Sequence, residues 1–116
     1  MSWPTTERSE MGYYMLFKHS PGSSLDTPFG IHVKRENVNA LCVFSSDEAA
    51  VKAREKAAKE YPPVREYHFE AVTPDDVLSL ATIHGVDVVA LDAYVREPMR
   101  LMHTVNAVEA LTNLQK

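Results

Sequence analysis

The stretch VTPDDVLSLATIHGVDVVALD, residues 72–92, writes out both ends of a helix and the strand that follows it. Thr73 is a good N-cap, and Pro74 sits where a first helical residue loses nothing by lacking an N–H. Asp75 and Asp76 add negative charge at the positive end of the helix dipole. His84-Gly85 closes the helix, with Gly85 free to adopt the left-handed conformation of a C′ residue. The apolar run from Val86 to Asp92 reads as a strand buried on both faces. An α/β core follows from this stretch alone.

Upstream, Ser45-Ser46-Asp47-Glu48 has the form of a capping box, with Ser45 accepting from the Glu48 N–H and the Glu48 carboxylate reaching back. The helix should run from about Ser46 to Glu60, and Pro62-Pro63 should end it. Its inner stripe is expected to be Ala50, Ala53, Ala57 and Tyr61, with Lys52, Arg54, Lys56 and Lys59 solvated. Val64 to Val72 alternates as a strand does, placing Glu66, His68 and Glu70 on one face.

Further out, Gly12 to Lys18 (GYYMLFK) is aromatic and β-favouring. Ser20 to Gly30 (SPGSSLDTPFG) is loop chemistry. Ile31 to Lys34 and Asn39 to Phe44 read as strands joined by a turn at Glu36-Asn37. Ala93 to His103 has two readings, a helix opening at Pro98 or a short edge strand over Met99 to His103. Thr104 to Leu114 is helical, with Val105, Val108 and Leu111 inward. The fold class is α/β (α+β): one domain over residues 1–116, ordered β-β-β-α-β-α-β-α. It should hold a mixed sheet of four to six strands and about three helices, with one face fully covered. Residues 1–10 should fray, although Trp3 can dock on the body.

Composition narrows the function classes. The chain has 116 residues, 16 acidic against 12 basic side chains and a formal charge of −4, which argues against a general nucleic-acid binder. One cysteine, Cys42, excludes an intrachain disulfide and a multi-thiolate zinc site, and fits a reducing cytoplasm. No apolar run approaches the ~20 residues of a membrane-spanning helix. The start of the chain lacks the charged and apolar segments of a signal peptide.

Candidate chemistry is sparse. Asp92 follows a buried strand, where open α/β sheets gather ligands, but a role in capping or turning the chain after the strand suits it better. His68 with Glu66 and Glu70 has the residue types of an acid–base pair or part of a metal site, and also of a solvated strand face. Cys42 lies in an apolar strand, which favours a core thiol over a nucleophile. His84 fits a helix C-terminus, Asp87 an outward position and His32 an exposed one. The Ser20–Gly30 loop can cradle an anion with backbone N–H groups, yet it has no phosphate-loop or dinucleotide signature. The weak candidates are therefore Asp92, His68 and Glu70; no cofactor and no complete metal site is expected. Tyr13, Tyr14, Phe17 and Tyr67 fit either core or interface.

The order of capped Ser-Ser-Asp-Glu helix, strand, Thr-Pro-Asp-Asp helix and Val-Asp-Val-Val-Ala-Leu-Asp strand resembles SseB-like domains over Leu41 to Asp92. The resemblance implies a small bacterial α/β module without defined catalytic residues. The reading that emerges is a non-enzymatic, self-associating interaction or regulatory module in the cytoplasm, with a protein partner or a second copy and no nucleic acid or membrane. Two alternatives stand beside it. One is a ligand binder or enzyme using Asp92 and the 20–30 loop. The other is an acidic inhibitor or immunity-type protein that meets a basic partner.

Overall fold

Thr73 and Gly85 bracket the second helix as their chemistry dictates. The Thr73 hydroxyl accepts from the Asp76 N–H, the Asp76 carboxylate accepts from the Thr73 N–H, and Gly85 is left-handed at φ 65°. The computed structural model describes residues 12–19, 26–95 and 100–114. The expected frayed start, a docked Trp3, the Ser20 to Leu25 part of the loop and a helix opening at Pro98 lie outside the described residues, as does the Val105 side chain.

The strands are β1 (Tyr13–Lys18), β2 (Thr27–Pro28), β3 (Gly30–Val33), β4 (Val38–Val43), β5 (His68–Val72), β6 (Val88–Leu91) and β7 (Arg100–His103). The helices are α1 (Asp47–Glu60), α2 (Pro74–His84) and α3 (Thr104–Leu114), with a 3-10 segment at Pro62–Glu66. The order β-β-β-α-β-α-β-α holds, with the short strands β2 and β7 added to it. Among the described residues seven strands form two sheets, β2-β1-β5 and β3-β4-β6-β7, where the sequence suggests one sheet of four to six. Among these strands only β4 and β6 run parallel; the other pairings are antiparallel.

The two sheets meet at one residue pair. Tyr14 and Phe44 exchange backbone hydrogen bonds of 2.8 and 2.7 Å, and beyond them β1 and β4 part. The chain from β2 to β3 fills the gap. Phe29 donates its N–H to Leu16 O at 2.8 Å and accepts at its carbonyl from Cys42 N–H at 3.1 Å, so one residue pairs with both sheets. The expected loop thus ends early: Thr27 and Pro28 pair with β1, and Gly30 opens β3. Gly30 lies so close to β4 that a Cβ there would sit 2.8 Å from Ala40 O. Asn37, at φ 55°, makes the turn between β3 and β4, a conformation asparagine tolerates better than most residues.

Both faces of the central strands β1, β4 and β6 are covered, where the sequence suggests one covered face. Leu16, Ala40, Cys42, Phe44 and Ala90 pack on the α1 side against Ala49, Ala50, Ala53, Ala57 and Ala58. The alternate residues Tyr13, Met15, Phe17, Leu41, Val43, Val89 and Leu91 pack on the other side, against Val77 and Ala81 of α2 and Ala107 and Leu111 of α3. Period-two alternation along β1, β4 and β6 therefore feeds two cores, which is why these strands carry almost no polar residue. The alanine stripe of α1 lets that helix lie close to the strands.

Two details differ from expectation. Tyr61 is 58% exposed, because it is the residue at which α1 stops and the chain turns into the 3-10 segment. The strand expected from Val64 starts only at His68, since Pro62-Pro63 sets a tight helical turn through Glu66 first.

The close approach at Gly30 makes a direct prediction. Gly30→Ala should lower stability by about 1–3 kcal/mol, because the added methyl must push β3 from β4. Gly85→Ala should cost about 1–2 kcal/mol through its left-handed backbone. Urea denaturation measures both, and an unchanged Gly30→Ala midpoint would contradict the packing described.

Candidate functional site

Asp92 stands at the carboxyl end of β6, beside the end of β4 and the start of α1. Its neighbours are fixed by backbone pairing: the Asp92 N–H donates to Val43 O at 2.8 Å, in line with the parallel ladder. The residue is only 5% exposed and has φ 57°. A buried carboxylate needs donors, and Ser45 supplies them. The Ser45 N–H donates to Oδ1 at 2.9 Å, while the Ser45 hydroxyl reaches Oδ2 at 2.9 Å and Oδ1 at 3.1 Å.

This engagement changes the cap of α1. With Ser45 committed to Asp92, Ser46 becomes the N-cap and its hydroxyl accepts from the Ala49 N–H at 3.0 Å. The expected Ser45–Glu48 box does not form: the residue at the reciprocal position is Ala49, whose side chain has no acceptor. The turn after Asp92 is held by Val95 N–H to Asp92 O at 3.1 Å and includes Tyr94 at φ 70°, a strained conformation for a bulky residue. An open depression of about 410 Å³ lies here, lined by Ser45, Ser46, Glu48, Lys52, Asp92 and Val95. Asp92 forms its floor as a tie between two strand ends. Both carboxylate oxygens accept from Ser45, as a residue tying a turn in place does.

Cys42 is completely buried, and burial pushes its thiol up to about 12. It stays protonated at neutral pH and is closed to solvent, so it is a core residue. Tyr13 is also raised, by burial first and the Asp92 charge second, and its hydroxyl donates to Leu111 O at 2.6 Å to pin α3 onto β1. His84 ends α2, exposed. Asp87 is exposed too, and its carbonyl accepts from Thr104 N–H at the start of α3. His32 is exposed and pairs with Asn39 across the β3–β4 hairpin at 2.9 Å.

His68 and Glu70 do come together, without Glu66. His68 Nε2 lies 2.6 Å from Glu70 Oε2, while Glu66 is held in the 3-10 segment. Asp26 takes its place, with Oδ2 3.8 Å from His68 Nε2, and its other oxygen, Oδ1, lies 3.1 Å from His19 Nδ1. Register explains the cluster. Phe17 pairs with Pro28 on one side and His68 on the other, so His19, Asp26, His68 and Glu70 all fall on the Phe17 face of the three-stranded sheet. The His68 ring lies 6.4 Å from the Phe17 ring, which supports it from below. Asp26 sits in the Pro/Gly/Ser-rich stretch, where composition suggests only a loop. The one hint in the sequence is the equal polar spacing of His19 and Asp26 from the strands they extend.

No protein-family model matches the chain, and no curated protein is similar to it at a meaningful level.

The Asp92 tie predicts a stability role. Asp92→Ala should destabilise the fold by about 1.5–3 kcal/mol, the range for hydrogen bonds to a charged group. Asp92→Asn should cost less, since asparagine tolerates φ > 0 and keeps one acceptor. Thermal and urea unfolding test this; an unaffected Asp92→Ala protein would return Asp92 to the list of candidate catalytic groups. Cys42 gives a second prediction. Because the thiol ionises more readily in the unfolded chain, its contribution is full at neutral pH. Stability should fall as pH rises from the ordinary thiol range, about 8.5, towards 12. Replacing Cys42 by Ala should remove that part of the alkaline slope in pH-dependent unfolding.

Proposed function

We propose that this chain is a small non-enzymatic interaction module of the cytoplasm that associates with a second copy of itself along the outer edge of β5. The carrying observation is that edge. β5 pairs with β1 on one side, and no strand lies on its other side among the described residues. Four of its five residues are exposed, including Phe69 at 38% and Ala71. Phe69 lies edge-on to Tyr14, with ring centroids 5.9 Å apart, so it is a rigid apolar feature and not a loose side chain. An open strand edge offers backbone donors and acceptors for strand addition, and an aromatic on its face adds affinity.

The state of Cys42 and Asp92 supports the same reading. Cys42 is sealed in the core, and both carboxylate oxygens of Asp92 accept from Ser45. A free, buried cysteine fits a reducing compartment. The likeness of Leu41 to Asp92 to SseB-like domains, which carry no defined catalytic residues, points the same way.

Size-exclusion chromatography with light scattering over a concentration series tests the proposal. The expected result is a mass that rises above the monomer with concentration. Phe69→Lys or Ala71→Pro should return it to the monomer with little change in circular dichroism. A strict monomer at high concentration would overturn self-association.

A further inference from the structure

We infer that Asp26, His68 and Glu70 form a binding site for a divalent transition-metal ion of the zinc class, with His19 acting as a positioning residue for Asp26. Three ligand atoms, one from each residue, lie within 4.8 Å of one another. One is an imidazole nitrogen and two are carboxylate oxygens, a donor set that suits zinc and its first-row neighbours. Zinc bonds of about 2.0–2.2 Å in tetrahedral geometry place ligand atoms about 3.3–3.6 Å apart. The observed separations from His68 Nε2, 2.6 Å to Glu70 and 3.8 Å to Asp26, bracket that distance.

The two oxygens of Asp26 are divided between tasks. Oδ2 faces His68, and Oδ1 faces His19 Nδ1. In the tautomer with Nδ1 protonated, His19 donates to Asp26 and orients its free oxygen, as outer partners of ligating carboxylates do. The ligands also come from a stiff scaffold. His68 and Glu70 are two apart on β5, and Asp26 directly precedes β2. Both strands flank β1, and the ring of Phe17 lies beneath. On metal loading the neutral His68 ring changes tautomer: the Nε2 proton leaves to solvent, Nδ1 gains one from solvent, and the ion takes the Nε2 lone pair and one oxygen of each carboxylate. Two carboxylates meeting a dication leave no net charge at the centre, and water completes the coordination. This site is independent of the β5 edge reading; either stands if the other fails.

Isothermal titration calorimetry of the chelator-dialysed protein with ZnCl₂ is the test. One Zn²⁺ per chain is expected, with a rise in Tm of several degrees at saturation because the ion binds the native state selectively. His68→Ala and Glu70→Gln should abolish saturable binding, and His19→Ala should weaken it about tenfold. A His32→Ala, His84→Ala double variant should bind as the parent does. Circular dichroism of each metal-free variant separates lost ligands from lost fold, and Co²⁺ bound in place of Zn²⁺ should show the intense visible bands of low-coordinate geometry, absent in His68→Ala. Absence of saturable Zn²⁺ binding would overturn the proposal, as would unchanged binding by folded His68→Ala and Glu70→Gln.

Discussion

The two sheets of this protein hang on the pair of backbone hydrogen bonds between Tyr14 and Phe44. At that point β1 and β4 touch, and everywhere else they diverge. Divergence would leave two rows of unpaired backbone groups facing each other inside the protein, a costly arrangement in a buried region. The chain from Thr27 to Val33 resolves it by pairing with β1 first and β4 second, with Phe29 serving both through its N–H and its carbonyl. The same split gives β1 two partners of its own. β2 and β5 are thereby placed on either side of Phe17, and His19, Asp26, His68 and Glu70 converge as a result. The cluster is a product of sheet topology more than of any local motif.

What the sequence makes legible is whatever is decided locally. Thr73, Pro74, Asp76 and Gly85 set the limits of α2 through contacts only a few residues long, and the structure follows them. The apolar runs of β4 and β6 declare strands buried on both faces, and both cores take alternate residues from them. Where a residue has a competing partner far along the chain, local reading fails. Ser45 is an adequate N-cap in isolation, but it is drawn to a buried carboxylate and Ser46 inherits the cap. Glu66 has the right alternation to join His68, but two prolines curl the chain and remove it from the strand.

The candidate sites follow the same division. His68 and Glu70 are readable as a pair because they are two apart on a strand. Asp26 is not, since its approach depends on β2 pairing with β1, and a two-residue strand containing proline gives almost no signal. Asp92 is readable as the end of a buried strand, but the partner that holds its carboxylate, Ser45, is announced by nothing near it in sequence.

The Ser45–Asp92 tie also has a consequence for how the chain reaches its fold. Its two residues are 47 positions apart, whereas His32 and Asn39, which pair across the β3–β4 hairpin, are 7 apart. Closing the longer loop costs about 1.7 kcal/mol more in chain entropy, from the logarithmic growth of that cost with loop length. The hairpin is therefore the cheap early contact, and the parallel alignment of β4 with β6 is the expensive one. The clasp between Ser45 and Asp92 belongs to that expensive alignment. It holds shut the longest loop in the central sheet, at the place where the chain has most freedom to regain by opening.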